Sequence, residues 1–179
     1  MTANECIKGR RSIRAFQDRA VGHELITDIV ETASFAPSWK NTQVARYIAV
    51  EGALKDQIAE ECTGAYARNS EIIKEAPMLI AVTMVTGRSG FERDGSFSTT
   101  KGTGWQMFDS GVASEAFCLA AYEQGLGTVI MGIFDEAKAA SLLGVPEGQE
   151  LVCLIPIGYP AESPAAPKRK TVEDLLTFK

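Results

Sequence analysis

Three arginines and a serine fall within five positions, Arg10 to Arg14, of the segment GRRSIRAF in a chain that is acidic overall. Guanidinium forks match phosphate oxygens two at a time, and a neighbouring hydroxyl adds a further donor. No acid lies between Arg10, Arg11, Ser12 and Arg14. The nearest are Glu5 before them and Asp18 after them, so the segment does not neutralise itself. A second basic cluster, Lys168, Arg169 and Lys170, lies near the other end of the chain. The two clusters can close on one phosphate group, each charge-assisted hydrogen bond contributing about 1.5–3 kcal/mol. The alternative is that both are solvated surface. A third segment, SFAPSWKNTQ, stops a helix at Pro37 and then offers Ser38, Asn41 and Gln43. Amide side chains of this kind can address a heterocycle with alternating donors and acceptors, although a helix-to-strand loop would look the same.

Other chemistries find little support. The only histidine is His23, so a Ser-His-Asp or Cys-His arrangement would rest on it alone. It reads more simply as a polar residue in the first turn of a helix. No His, Cys and carboxylate pairs stand at metal-ligand spacing. No GxGxxG follows a strand and no GxxxxGK[ST] occurs, which leaves a Rossmann reading unsupported. If the chain is an enzyme, a bound cofactor carries the hard chemistry.

Composition sets the frame. A chain of 179 residues, 45% hydrophobic and 23% charged, is expected to form one soluble domain, residues 1–179, with a sizeable core. A net charge of −5 argues against general nucleic-acid binding. Cys6, Cys62, Cys118 and Cys153 show no CxxC spacing, and buried free thiols are preferred to disulfides or metal ligation. Met1 to Lys8 lacks the apolar core of a signal peptide, and the longest apolar run, Ala76 to Val85, is too short for a membrane span. A cytoplasmic, reduced setting is expected.

Hydrophobic periodicity predicts a helix from Gly22 to Phe35, a strand from Ala45 to Val50 and a helix from Ala53 to about Cys62. It then predicts a buried strand from Pro77 to Val85 and a long helix from Trp105 to Gln124, apolar on most faces. A strand from Thr128 to Phe134, a helix from Asp135 to Leu143 capped by Asp135, and a strand from Leu151 to Tyr159 follow. The Gly/Ser/Thr-dense stretch Thr86 to Gly104 is either a lid or substrate-facing loop, or a mobile insertion. Prolines after Tyr159 make regular structure unexpected there, leaving an extended tail, 160–179, whose apolar end needs a surface such as a partner subunit. The fold class is α+β.

The order RRSIR, APSWKNTQ, GLGTVIMGIF, LIPIGYPAE and PKRKTVEDLL resembles the nitroreductase family of FMN-dependent oxidoreductases, from about Arg10 to Leu176. The resemblance implies a stand-alone α+β domain whose central, mostly antiparallel sheet is flanked by helices. It also implies an intertwined homodimer with an exchanged C-terminal tail. FMN would be the cofactor and NADH or NADPH the donor. Hydride would pass through flavin N5 to a nitroaromatic, quinone or similar acceptor, with no catalytic side chain and no metal. Within the same chemistry, reductive dehalogenation or dehydrogenation is the alternative; outside it, non-catalytic binding of a phosphorylated ligand. By the same resemblance Arg10, Arg11, Ser12 and Arg14 bind the phosphate and ribityl chain, with Arg169 and its neighbour Lys168 closing on the phosphate. Pro37, Ser38, Asn41 and Gln43 would be lent across the dimer to the flavin. Asn69 would face the ring edge, and Ile130, Met131 and Gly132 would present backbone donors to N5. Trp39 and Lys40 stand where many relatives carry small residues, Val44-Ala45 replaces a common Pro-Trp, and Ile72 stands where some carry a lysine. Trp39 would either narrow the pocket above the ring or pack in the dimer interface.

Overall fold

The longest apolar run of the sequence becomes the centre of a sheet. The computed structural model describes residues 1–64 and 66–179. In chain order the helices and strands are α1 (Ala3–Gly9), α2 (His23–Ala33), β1 (Ala45–Val50), α3 (Gly52–Cys62), α4 (Ala67–Glu75), β2 (Met78–Val85), α5 (Gly104–Glu123), β3 (Gly127–Thr128), α6 (Glu136–Leu143), β4 (Gln149–Gly158) and α7 (Val172–Leu175). A single 3-10 turn, Trp39–Asn41, precedes β1. The strands form one antiparallel sheet in the order β1-β2-β4-β3.

Strand β2 is apolar on both faces because both are covered. Side chains alternate along a strand, so Leu79 and Ala81 pack toward α3, α4 and α6. Met78, Ile80 and Val82 pack toward α2 and α5. Each large side chain so buried stabilises the fold by roughly 1.5–3 kcal/mol. In β4, Cys153 pairs with Val82 and Leu151 with Thr83, so Val152 is the extra residue of a bulge. Leu151 and Leu154 therefore reach the same core. The α+β architecture, an antiparallel sheet between helices, is the one expected.

Several local expectations change. Helices α1 and α4 were not anticipated, because their periodic faces are short. The strand expected over Thr128 to Phe134 pairs only at Gly127–Thr128, with one further bridge from Met131 to Leu154. Beyond Thr128 the chain alternates between the core and the surface: Val129 and Met131 are buried, Ile130 and Ile133 exposed. The tail is extended as expected, but α7 forms within it. All three prolines, Pro160, Pro164 and Pro167, precede that turn. Thr171 and Asp174 close a capping box on it. Among the described residues no helix is long and apolar enough to cross a membrane.

Helix α5 inverts the usual polarity. Its buried face carries Gln106, Asp109, Ser110 and Ser114 beside Phe117 and Ala121. Ser110 and Ser114 bond back to carbonyls one turn earlier, at 2.8 Å each. Met107 and Phe108 are left exposed on the opposite side.

Two close approaches fix the arginine-bearing segment. Gly9 abuts Tyr122 of α5, and a Cβ on Gly127 would lie 2.6 Å from Ile13. The Ile13 amide donates to Thr128 O at 2.9 Å, which lays Ser12 beside β3. On leaving β4 the chain returns along the same segment. The Gln17 amide donates to Tyr159 O at 2.8 Å, and the Ala161 amide to Ala15 O at 2.9 Å.

Candidate functional site

The two ends of the chain meet at one cavity of about 300 Å³. Arg10, Arg11, Ser12 and Arg14 line one side; Pro164, Ala165, Pro167 and Arg169 line the other. The prolines hold the tail extended, so Arg169 arrives at a fixed reach from β4. Glu162 Oε1 accepts from the Arg14 amide, and Gln17 Nε2 donates to Pro160 O at 2.8 Å, pinning the tail where it departs. Lys168 does not line the cavity.

The charge balance refines the sequence expectation. Arg10 is paired after all: its Nε lies 3.2 Å from Glu115 Oε1, on a helix 105 positions away. Arg11 spends Nη1 on the carbonyls of Lys8 and Arg10, both at 2.7 Å. Arg14 and Arg169 make only long bonds, 3.4 and 3.3 Å, to the carbonyls of Ser12 and Pro167. Among the described residues Arg11, Arg14 and Arg169 form no ion pair. Three of the four guanidinium groups lining the cavity therefore have no acidic side chain paired with them among the described residues.

The start of α4 ties to the arginine segment and to the chain beyond β3, although none of its residues lines the cavity. Arg68 donates to Arg14 O at 3.3 Å, and Asn69 Nδ2 to Ile133 O at 3.2 Å. Asn69 is thereby fixed to the 130–133 segment. The Met131 amide is committed to the sheet, donating to Leu154 O at 2.8 Å. Because alternate amides of an extended chain point to opposite sides, Ile130 and Gly132 are the members of that trio with amides outside the sheet.

The 37–43 loop lies elsewhere. Pro37, Ser38 and Gln43 line a separate, largely apolar cavity of about 390 Å³ with residues of α2, β1 and α5, and no residue lines both cavities. Asn41 lines neither. Tyr47 in the larger cavity donates to Ala113 O at 3.3 Å, and burial pushes its hydroxyl up to about 12. The loop is strained: Lys40, Asn41 and Gln43 have φ of 44°, 55° and 48°. Each such residue costs on the order of 1–3 kcal/mol and clusters of them mark functional sites.

The Nitroreductase family matches this chain over residues 7–71 and 64–159. A Methanothermobacter thermautotrophicus protein, provisionally named NADH dehydrogenase/NAD(P)H nitroreductase, is 32% identical over 92% of this chain and 80% of its own length. The chain belongs to the nitroreductase family.

Among solved structures, a provisionally named nitroreductase from Desulfovibrio desulfuricans in complex with FMN superposes with a TM-score of 0.76 at 27% identity. That likeness covers 98% of this chain and 96% of the other. Iodotyrosine deiodinase from Hydra vulgaris is 27% identical over 95% of this chain and 70% of its own length.

The chain brings together Arg10, Arg11, Ser12, Arg14 and Arg169 on one cavity, whose lining does not include Lys168, Asn69, Ile130, Met131 or Gly132. The 37–43 loop stands apart, and His23 sits on the surface 2.7 Å from Glu51, lining neither cavity. Ile72 is core, 1% exposed. Cys62, Cys118 and Cys153 are buried free thiols and Cys6 is a half-buried one. Glu115 and Asp109 were missed. Both lie on α5, and no local pattern marks an acid whose partner is distant in sequence.

Proposed function

We propose that this protein is an FMN-dependent oxidoreductase that takes electrons from NADH or NADPH and reduces a nitroaromatic, quinone or related acceptor, working as a homodimer. The carrying observation is the convergence of Arg10, Arg11, Ser12 and Arg14 with Arg169 on one cavity. A phosphate monoester fits this donor set: planar forks and a hydroxyl face the space from two sides, and most of their charge is uncommitted. Bound FMN supplies two-electron redox chemistry, and the chain's part is to hold, orient and polarise its surroundings.

Arg11, Arg14 and Arg169 neutralise the phosphate, while Arg10 is oriented by Glu115. Ser12 donates its hydroxyl, and Lys168 adds positive potential nearby. Asn69, held by Ile133, offers its amide to a ring edge, and the 130–132 segment offers the Ile130 and Gly132 amides. Pro37, Ser38, Asn41 and Gln43 complete the ring site across the dimer. That assignment accounts for Pro37, Ser38 and Gln43 lining a cavity separate from the arginines of their own chain. Exposed Met107 and Phe108 on α5, and Val172, Leu175 and Phe178 in the tail, support a second copy as their cover. The chain is then one domain with residues 160–179 wrapped on its partner.

The test is a fluorescence titration with FMN and with riboflavin, which lacks the phosphate. FMN should bind at least tenfold tighter, and equal affinities would contradict the phosphate assignment. A second reading, reductive dehalogenation of an aromatic substrate, is favoured by the likeness to the Hydra vulgaris deiodinase. Iodide release from an iodinated phenol, assayed beside nitroaromatic reduction, separates the two.

A further inference from the structure

Lys40, Asn41 and Gln43 are the only non-glycine residues with positive φ among the described residues. A backbone so bent persists only where its surroundings hold it. Ser38 Oγ accepts from the Gln43 amide at 2.9 Å, a bond inside the loop. From outside, Asp109 Oδ2 accepts from the Trp39 amide at 2.9 Å. The same oxygen accepts from Ser89 Oγ at 2.6 Å. Asp109 is 3% exposed and Ser89 fully buried. Among the described residues Asp109 forms no ion pair. A buried carboxylate without a cation is unfavourable unless hydrogen bonds satisfy it. Among the described residues both of its hydrogen-bond donors come from loops, the Trp39 amide from the 37–43 loop and Ser89 Oγ from the 86–104 loop.

The two loops touch at further points. Lys40 Nζ lies 3.2 Å from Glu92 Oε1, which also accepts from Ser98 Oγ at 2.6 Å. The Trp39 ring also packs 4.6 Å from that of Trp105 in α5, whose Nε1 donates to Thr99 Oγ1 of the 86–104 loop at 2.9 Å. The Lys40 tie is exposed, so solvent weakens it. The Asp109 tie is buried and is the one that water does not compete with.

We propose that Asp109 is a positioning residue. It locks the strained loop carrying Ser38, Asn41 and Gln43 to the 86–104 loop, so that the two order and loosen together. Its consequence for turnover rests on the flavin reading above; its consequence for loop order does not. The 86–104 segment is then neither an independent lid nor a mobile insertion, but the outer half of a clamp whose inner half addresses the cofactor edge.

The test is hydrogen–deuterium exchange on the full chain and on Ser89→Ala, Asp109→Asn and Lys40→Ala. Ser89 makes no bond to the 37–43 loop, yet Ser89→Ala should speed exchange there about tenfold through a loosened Asp109. Asp109→Asn should speed exchange in both loops more strongly, leaving β2 and β4 amides unchanged. Lys40→Ala should change either loop less than threefold. Exchange confined to the 86–104 loop in Ser89→Ala would overturn the proposal, whether or not Asp109→Asn folds. With FMN bound, Ser89→Ala should lower kcat about tenfold while FMN affinity stays within threefold. An equal loss of both would overturn the positioning role. A chain that takes up no FMN would sink the flavin reading and leave the exchange result to decide this one.

Discussion

Arg10 Nε stands 3.2 Å from Glu115 Oε1, tying the N-terminal arginine motif to the long helix α5. The pair is partly exposed, so its direct contribution to stability is at most about 1 kcal/mol. Its larger effect is to set where the remaining guanidinium nitrogens of Arg10 lie. Glu115→Gln keeps an acceptor and removes a negative charge beside the cavity, so FMN affinity should hold or rise up to about threefold. Glu115→Ala removes the acceptor too, and affinity should fall several-fold. Titrations of both variants read orientation against charge; a matching loss in the two would mean that only the ionic pair, and not a neutral acceptor, holds Arg10 in place.

Arg11, Arg14 and Arg169 keep their charge uncommitted, so their removal should cost more than that of Arg10. Losing one charge-assisted bond of about 1.5–3 kcal/mol corresponds to roughly a ten- to hundredfold weaker FMN complex. Arg14→Ala and Arg169→Ala should show this with unchanged circular dichroism. Full flavin occupancy in both would refute the phosphate assignment.

Gly127 sits where any side chain would meet Ile13 at 2.6 Å. Gly127→Ala should therefore destabilise by about 1–3 kcal/mol and displace Ser12, the residue bridged to Thr128. Thermal melts and FMN titration check the two effects together. Adding Ile13→Val should recover neither, because valine keeps Cβ, Cγ1 and Cγ2, the three atoms in the way.

Burial pushes the thiols of Cys118 and Cys153 up to about 11. Unfolded thiols lose their protons near pH ~8.5–9, whereas the folded ones keep them until about 11. The folded chain thus binds more protons across that interval, and stability should fall as pH rises through it. Cys153→Ala should lower Tm at neutral pH by leaving a cavity, yet flatten the decline from pH 9 to 11. An unchanged slope would mean that other groups carry the alkaline loss.

The sheet and the site were legible to different depths. β1 matches its expected bounds, and β2 and β4 nearly so, because β-branched runs between turn residues leave few alternatives. Asp135 was readable as a cap, and its carboxylate accepts the Lys138 amide at 3.0 Å. The meeting of Arg169 with the N-terminal arginines was expected from the family resemblance, whereas charge without local partners left it open against solvated surface. The pairing of Arg10 was not, since Glu115 is far along the chain and a sequence shows only neighbours. Nor was Asp109 readable: on a helix of mostly apolar residues, an acid suggests solvent, whereas here it faces inward to two loop donors. The strand expected to Phe134 failed because alternation of apolar residues records burial, and Met131 is buried by a single bridge rather than by a ladder.

The most direct measurement is the visible spectrum of the purified protein under anaerobic conditions, before and after adding NADH or NADPH. Flavin bands that bleach with either nucleotide and return on adding a nitroaromatic or quinone are the expected result. A colourless protein that also fails to take up added FMN would contradict the account and leave the arginine cavity to some other phosphorylated ligand.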